Sequence, residues 1–407
     1  MKKVFLVVYG GGHAKLLLPI IQRLISDKKF EIEILALTTA FNFFKDKKIP
    51  VNGYKDYQAL LKSDINNLGE KIFNKSQLSN DVQLDESIAY HGINYLDLII
   101  QFQEEKAQKI WKKYGRQGFY PINFFIKLLK HIKPDIVIST NSPRSEKAAL
   151  RAAKELNIPS ICLVDLFGVQ EINWLKENDH GSKICVIDER VKQFLIDNGR
   201  KKDQIVVTGN PAFDDINSKQ NIDSGMQLRK KYEEKYKDPF LILYASQVEP
   251  KNYPSKDLIG DPDLPKKIEK KLRNYVEQNR KVNLFVRYHP SQNQTFIKEE
   301  RVFQSLNNDN LYELLHCVDC VVVASSTVGY EAYLAGKELI SLNFSMFSDD
   351  APYAKLGFAK GINKIEELKI CLDEIVNQRS NKKRNISKIN KAESSTDKVF
   401  NVINKLI

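Results

Sequence analysis

The segment Asp319–Leu342 constrains the fold most strongly, because its pattern is that of a strand, a polar turn, a helix and a second strand. The apolar, β-branched run Cys320–Ala324 predicts a buried strand. The helix is expected to begin at Gly329–Ala332 and to end at Gly336. The turn between them, Ser325–Thr327, carries three hydroxyl groups. A strand–turn–helix–strand unit of this kind is typical of α/β domains.

The hydroxyl groups of this turn suggest an anion-binding site. Backbone N–H groups at a helix start, with about half a positive charge from the helix dipole, favour a bound phosphate. Glu331, one turn into the helix, would reach a ribose hydroxyl. The alternative is that Ser325, Ser326 or Thr327 is an ordinary helix cap.

Similar units run through the whole chain. Lys3–Tyr9 predicts a strand, Gly10–His13 a turn, Ala14–Ser26 an amphipathic helix and Phe30–Ala36 the next strand. A second series of strands and helices begins at Phe240, whose strand ends in Ala245-Ser246-Gln247. Strands that alternate with helices in this way indicate parallel sheets.

The length of the chain, 407 residues, exceeds what one typical core organises, so two domains are expected. We predict an α/β fold with two Rossmann-like, doubly wound domains, residues 1–210 and 211–385, and a last helix in residues 386–407. Ligands of such paired domains are expected in the cleft between the carboxyl ends of the two sheets.

The composition is that of an ordinary globular protein, with 42% hydrophobic and 28% charged residues. No apolar run approaches the roughly 18 residues needed to span a bilayer. The five cysteines are scattered, which indicates free thiols in a reducing cytoplasm. The net charge of +12 favours anionic partners, but no nucleic-acid-binding motif is present, and nucleic acid is not expected as a partner.

The basic segment Lys106–Lys133 contains eight Lys and Arg residues, no acidic residue, and interleaved aromatic residues such as Trp111 and Phe119. Such a segment can lie on anionic lipid, which would add a peripheral contact with the inner membrane to a cytoplasmic location. The favoured alternative is a helical segment whose aromatic residues pack inward while its lysines remain solvated.

Candidate acid/base groups are present in the first half of the chain. Gly11 and Gly12 allow close approach of a ligand, and His13 follows them at the predicted carboxyl end of a strand. The helical segment Asp85–Leu98 contains Glu86, which is a candidate general base, although such residues are more often solvated or capping.

Four motifs follow one another along the chain: GGGH at 10–13, VVTGNPAFD at 206–214, FVRYHP at 285–290 and SSTVGYEAYLAGK at 325–337. In this order they resemble the motifs of the two-domain GT-B glycosyltransferases and the related UDP-N-acetylglucosamine 2-epimerases. The resemblance implies that the second domain holds the nucleotide, that the first holds the acceptor, and that the last helix crosses back onto the first domain.

The chain departs from the epimerase pattern in two places. Those enzymes carry a motif like D-S-G-G-x-Q-E-E where this chain has Ala324–Glu331, so the acidic residue is absent and one glutamate remains. They also carry H-x-E-A-G-x-R where this chain has Asp165-Leu166-Phe167-Gly168. Because elimination and re-addition at a sugar C2 need several acid/base groups, these departures argue against epimerisation.

The His-Pro and Ser-Ser pair is instead similar to the bacterial sialyltransferases and capsule Kdo transferases. The sequence therefore predicts a glycosyltransferase that moves a sugar from a CMP- or UDP-linked donor to a bacterial surface glycan or lipid-linked acceptor. The alternative is an enzyme like the UDP-N-acetylglucosamine 2-epimerases and hydrolases. No Asp-x-Asp motif stands at a plausible donor site, so no metal or other cofactor is expected besides the nucleotide-sugar co-substrate.

The predicted site residues follow from these motifs and this resemblance. The predicted catalytic residues are Asp165, His13 and Glu86. The predicted substrate- and nucleotide-binding residues are Gly11, Gly12, Asn210, Ser246, Gln247, Arg287, His289, Ser325, Ser326, Thr327 and Glu331.

Overall fold

A computed structural model describes residues 1–74, 82–253, 257–381 and 393–407. The chain forms two compact units. The first comprises Met1–Ala212 together with Glu393–Ile407, and the second comprises Phe213–Ala392. The C-terminal helix therefore belongs to the first unit, although the whole second unit precedes it in the sequence.

The first unit contains a six-stranded sheet in the order β2-β1-β3-β4-β5-β6, with every neighbouring pair parallel. Element numbers follow the chain. The elements of this unit are β1 Lys2–Val8, α1 Gly12–Ser26, β2 Phe30–Ala36, α2 Thr39–Lys45, α3 Ile65–Ile72, α4 Leu84–Phe102, α5 Glu104–Tyr114, α6 Ile122–Ile132, β3 Ile136–Thr140, α7 Ser145–Glu155, β4 Ser160–Leu163, α8 Ile172–Leu175, β5 Lys183–Val186, α9 Glu189–Asp197, β6 Ile205–Val207 and the C-terminal helix α15 Ser395–Leu406.

Strand β1 is apolar along its length because both faces of this sheet are covered. Val4, Leu6 and Val8 pack with α1 and α15 on one face, while Phe5 and Val7 pack with α6 and α7 on the other. Because side chains alternate between the two faces of a strand, one continuous apolar run contributes residues to two hydrophobic cores.

The predicted return of the last helix to the first unit is confirmed by the packing of α15 against α1. Phe400 meets the ring of Phe30 edge-on at 5.6 Å, and the guanidinium of Arg23 lies over it at 5.1 Å. Val399 and Ile403 are fully buried in the same core.

The second unit repeats the architecture with a parallel sheet in the order β12-β11-β10-β7-β8-β9. Its elements are α10 Lys219–Tyr236, β7 Phe240–Ala245, α11 Leu264–Gln278, β8 Val282–Arg287, β9 Val302–Ser305, α12 Leu311–Cys317, β10 Cys320–Val323, α13 Val328–Leu334, β11 Glu338–Leu342, β12 Lys360–Ile362 and α14 Glu367–Asn381. The prediction of two Rossmann-like domains is confirmed.

The aromatic residues of Lys106–Lys133 pack mainly inward. Phe119 is buried and stacks on Trp111 at 5.2 Å, and Phe124 and Phe125 are buried in the core. These rings stabilise the first unit, as the favoured alternative expects. In the described ranges, no helix is both long enough and apolar enough to cross a membrane.

The five cysteines are free and buried, as the sequence predicts. Burial raises the pKa of Cys317 to about 12, which makes its thiol a poor nucleophile.

Candidate functional site

The residues predicted to bind a nucleotide in the second unit lie where three neighbouring strands end, β10, β7 and β8. Ser325 Oγ donates to Gln247 Oε1 (2.8 Å), and Gln292 Nε2 donates to Ser246 Oγ (3.0 Å). Gln292 Oε1 also accepts from the backbone N–H of His289 (2.8 Å). Because the carboxyl ends of parallel strands share one edge, residues distant in sequence form a single polar edge here.

The imidazole of His289 is exposed, and its tautomer follows from its contacts. The backbone N–H of Ser291 donates to Nδ1 (3.1 Å), so Nδ1 must present a lone pair. In the neutral ring, Nε2 therefore carries the proton and can donate it to an anionic group.

The capping alternative for the Ser325–Thr327 turn applies to one of its three residues. Ser326 Oγ accepts from the backbone N–H of Val328 (3.3 Å). Thr327 occupies the N-cap position of α13 and makes no side-chain cap hydrogen bond, and Ser325 is bonded to Gln247 instead. Two of the three hydroxyl groups are thus not used to cap the helix.

Tyr353 supports this turn from inside the second unit. Its buried hydroxyl donates to the carbonyl of Ser326 (2.6 Å) and accepts from the backbone N–H of Tyr330 (3.2 Å). A Cβ on Gly329 would come within 2.8 Å of Tyr353 Cζ, so glycine is required for this close approach.

A Tyr353→Phe substitution is expected to lower the free energy of unfolding by about 0.5–1.5 kcal/mol, because it removes two hydrogen bonds. The backbone groups keep other partners: the Ser326 carbonyl accepts from the Gly329 N–H (3.0 Å), and the Tyr330 N–H donates to the Thr327 carbonyl (2.9 Å). Chemical denaturation followed by fluorescence measures the change. The matched control is Tyr114→Phe, since Tyr114 is 51% exposed. Equal stability of the two variants would contradict the role of Tyr353.

Arg287 holds the edge of this sheet together. Its guanidinium donates to Ser305 Oγ (2.8 Å) and to the carbonyls of Asn307 (3.0 Å) and Asp309 (3.3 Å). Burial lowers its pKa, while the charges of Asp309 and Glu331 oppose that effect. Arg287 therefore fixes the segment after β9, and its contact with a ligand remains a prediction.

In the first unit, the glycine turn after β1 leaves open space for a ligand. Gly11 has a φ of +66°, a conformation that favours glycine, and a Cβ on Gly11 or Gly12 would meet no atom within 4 Å. His13 is the second residue of α1, and its Nδ1 lies 2.8 Å from Thr140 Oγ1 at the end of β3.

Asp165 begins the loop after β4 and is held by a network of amide contacts. Asn141 Nδ2 donates to Asp165 Oδ1 (3.0 Å), and the backbone N–H of Leu166 donates to the same oxygen (2.9 Å). Asn210 Nδ2 donates to the Asp165 carbonyl (2.8 Å), while Asn210 Oδ1 accepts from the backbone N–H of Ala212 (2.9 Å). The amide of Asn210 thus positions the loop that carries Asp165.

Glu171 lies in the same loop, and the sequence prediction missed it. The pKa of Glu171 is raised to about 7, mainly by burial and secondly by the charge of Asp165, while His13 and a side-chain hydrogen bond with Asn141 oppose the rise. Asp165, Glu171 and His13 therefore share one electrostatic environment. A carboxyl group that is part protonated near neutral pH, beside a second carboxyl group, is typical of acid/base sites.

The carboxylate of Glu86 binds backbone groups of a neighbouring segment, and its predicted catalytic role remains a prediction. Its two oxygens accept from the backbone N–H groups of Tyr54 (2.8 Å) and Lys55 (3.0 Å), at the start of the 3-10 helix Tyr54–Leu60. Burial raises its pKa to about 7. Glu86 therefore accepts from two backbone N–H groups at the start of that 3-10 helix.

In the parts of the chain that the structure describes, no group of three or more His, Cys, Asp or Glu side chains is arranged to hold a metal ion. The candidate sites for function are the acid/base groups of the first unit and the polar edge of the second.

A comparison with protein families identifies the family of this chain. Residues 122–345, more than half of the chain, match the family model of UDP-N-acetylglucosamine 2-epimerase. The chain belongs to the UDP-N-acetylglucosamine 2-epimerase family. No curated protein matches the sequence at a significant level.

Solved structures of this epimerase family and of glycosyltransferases have the same fold. The UDP-GlcNAc 2-epimerase of Neisseria meningitidis bound to UDP-GlcNAc is similar at a TM-score of 0.58 and 13% identity, covering 99% of this chain and 100% of that one. The enzyme of Methanocaldococcus jannaschii in complex with UDP-GlcNAc and UDP gives 0.54 and 16%, covering 99% of each. Acinetobacter baumannii MurG gives 0.55 and 15%, covering 100% of each.

Membership in the epimerase family confirms the superfamily expected from the four motifs. Glu171 stands six residues after Asp165, and this proximity was the signal by which the sequence could have revealed it.

Proposed function

We propose that the protein acts on a UDP-linked N-acetylated amino sugar by proton transfer at C2, with cleavage of the bond between the sugar and UDP. The proposal is carried by the loop after β4, where Asp165 and Glu171 stand six residues apart and the charge of Asp165 contributes to the raised pKa of Glu171. Elimination and re-addition at C2 need one group that accepts the proton and another that returns it. Family membership supports this chemistry. Asp165 lies in the segment 165–168 that stands where the epimerases carry H-x-E-A-G-x-R.

The second unit would hold the nucleotide through the polar edge formed by Ser246, Gln247, His289 and the Ser325–Thr327 turn. Hydroxyl groups and the Nε2–H of His289 are suitable donors to phosphate oxygens. Glu331 is assigned to the ribose. We assign proton transfer at the sugar to the first unit, through Asp165, Glu171 and His13.

A second candidate is glycosyl transfer from a CMP- or UDP-linked sugar to a surface glycan or lipid-linked acceptor. It is favoured by one observation, the replacement of the acidic residue and the second glutamate of the epimerase motif in Ala324–Glu331. For this reaction a single base in the first unit would suffice, and His13 or Asp165 would deprotonate the acceptor hydroxyl.

Incubation of the full chain with UDP-GlcNAc alone in D₂O separates the two candidates. Epimerase chemistry is expected to place deuterium at C2 and to produce UDP-ManNAc, or free ManNAc and UDP, without an acceptor. Product composition and C2 deuterium are measured by NMR and mass spectrometry. The absence of both, with nucleotide release only after a glycan or lipid acceptor is added, would overturn the epimerase proposal and support transfer.

A thermal-shift series with UDP, CMP, CDP and GDP identifies the nucleotide. A ligand that binds the folded state stabilises it in proportion to the logarithm of its saturation, so UDP is expected to give the largest shift. A largest shift with CMP would instead indicate an acidic-sugar donor.

A further inference from the structure

A fully buried glutamate lies behind His13 and reaches it through a threonine. Thr140 Oγ1 lies 2.8 Å from His13 Nδ1 and 2.9 Å from Glu146 Oε1. His13 belongs to α1, Thr140 ends β3 and Glu146 lies in the first turn of α7. Strands β1 and β3 are neighbours in the sheet, so residues more than 120 positions apart meet at its edge.

The contacts of Glu146 fix the direction of these hydrogen bonds. Its Oε1 also accepts from the backbone N–H groups of Tyr9 (3.2 Å) and Thr140 (3.4 Å). Oε1 is therefore an acceptor, and it remains one even if a proton resides on Oε2. The single hydroxyl proton of Thr140 must lie between Oγ1 and Oε1, since two oxygen lone pairs at this separation would repel.

The hydroxyl of Thr140 can then only accept from His13. His13 Nδ1 must carry a proton, and in the neutral ring Nε2 presents the lone pair. The ring of His13 is partly exposed and meets Tyr9 edge-on at 6.0 Å. Glu146 and Thr140 are themselves wholly buried, so they act on chemistry through His13 alone.

We propose that Glu146 and Thr140 are positioning residues that hold His13 as a proton acceptor at Nε2. In the step that follows, the C2–H bond of the sugar breaks, its proton forms an N–H bond at Nε2, and the ring becomes an imidazolium. The electron pair of the C2–H bond forms a C1–C2 double bond as the bond between C1 and the UDP oxygen breaks, and UDP leaves with the electron pair of that broken bond. Thr140 and Glu146 stabilise the positive charge of the imidazolium. The identity of the transferred proton rests on the proposed function, whereas the tautomer of His13 does not.

The tautomer is measured directly by ¹⁵N NMR of the full chain labelled at histidine. The chain has six histidines, and a His13→Gln variant identifies the His13 signals. At a pH where the ring is neutral, the wild-type protein is expected to show His13 protonated at Nδ1. Thr140→Ser keeps the hydroxyl and is expected to keep this tautomer. Thr140→Val removes the hydroxyl and is expected to lose it, with the proton moving mainly to Nε2.

A wild-type signal with the proton at Nε2 would overturn the proposal, as would an unchanged tautomer in Thr140→Val. If Thr140→Val does not fold, as judged by circular dichroism, the wild-type spectrum decides by itself. A failure of the proposed function has a different signature: no C2 exchange and no transfer, with the Nδ1–H tautomer present.

Discussion

Replacing Glu171 by glutamine is expected to lower the rate of C2 proton exchange on UDP-GlcNAc by about two to four orders of magnitude, the usual contribution of a general acid or base. The amide has the size of the carboxylic acid but cannot donate a transferable proton. Glu171 has a pKa raised to about 7 by burial, and Asp165 adds to the effect. As pH rises through this value, the protonated fraction decreases, so the wild-type rate should fall.

In the Glu171→Gln variant the rate should not decrease with rising pH near pH 7, because the carboxyl group whose deprotonation causes the decrease has been removed. The rate is followed across pH 5.5–8.5, on the order of 1.5 units to either side of the Glu171 pKa. Glu177→Gln is the matched control, since Glu177 is an exposed glutamate on the same segment. A Glu171→Gln enzyme with a near wild-type rate and an unchanged pH profile would exclude Glu171 as the acid.

The ionisation of Glu171 can also be observed without substrate. NMR titration of ¹³C-labelled glutamate side chains should show carboxyl signals of Glu171 and Glu86 that titrate near pH 7, because burial raises the pKa of both groups to about 7. Glu171→Gln should remove one signal that titrates near pH 7. If every such signal remains in the variant, the raised pKa does not belong to Glu171.

The largest expected loss of stability follows from removal of Arg229 in α10. Its guanidinium donates to Asp319 Oδ2 (2.7 Å), to the carbonyls of Cys317 (2.9 Å) and Pro239 (2.8 Å), and to Glu233 Oε1 (3.0 Å). The side chain is only 8% exposed. Arg229→Ala is expected to cost about 3–5 kcal/mol in the free energy of unfolding, because the Asp319 carboxylate loses a buried cation and the carbonyls of Cys317 and Pro239 each lose a donor. The Pro239 carbonyl keeps one donor, Arg379 Nη1 (3.0 Å).

The lower end of that range is favoured, because Asp319 keeps two other contacts: Arg379 Nε at 3.4 Å and the backbone N–H of Leu241 at 2.8 Å. The free energy of unfolding is measured by chemical denaturation. Lys230→Ala, the exposed neighbour on the same helix, is the control and should change stability by about 0.5 kcal/mol or less. A cost for Arg229→Ala as small as that of the control would show that the buried pair adds nothing.

Much of the architecture was predictable because the strands of a covered parallel sheet are nearly continuous apolar runs. Segments such as Phe240–Ala245 and Cys320–Val323 stand out by their β-branched and aromatic residues alone. Two edge strands, Val302–Ser305 and Lys360–Ile362, were missed. They are short and of mixed composition, so their pairing with β8 and β11, and not their own sequence, makes them strands.

The position of a candidate residue in the fold was predictable where that residue directly follows a strand. His13, Asp165, Ser246 and Ser325 could each be placed at a carboxyl end, because that rule depends only on local pattern. This rule does not apply to Glu86, which lies in a helical segment. Nothing in the sequence of that segment reveals that two backbone N–H groups donate to the carboxylate of Glu86.

The sequence by itself thus determined the two α/β units, the polar turns at their strand ends and the superfamily. The tertiary structure decided which side chains share an environment with His13: Glu171 through its charge, and Glu146 through Thr140. The physical reason is that strand order places β3 beside β1 across more than 100 intervening residues. Hydrogen-bond direction and the pKa of a buried carboxyl group depend on that proximity and on burial, which local sequence does not encode.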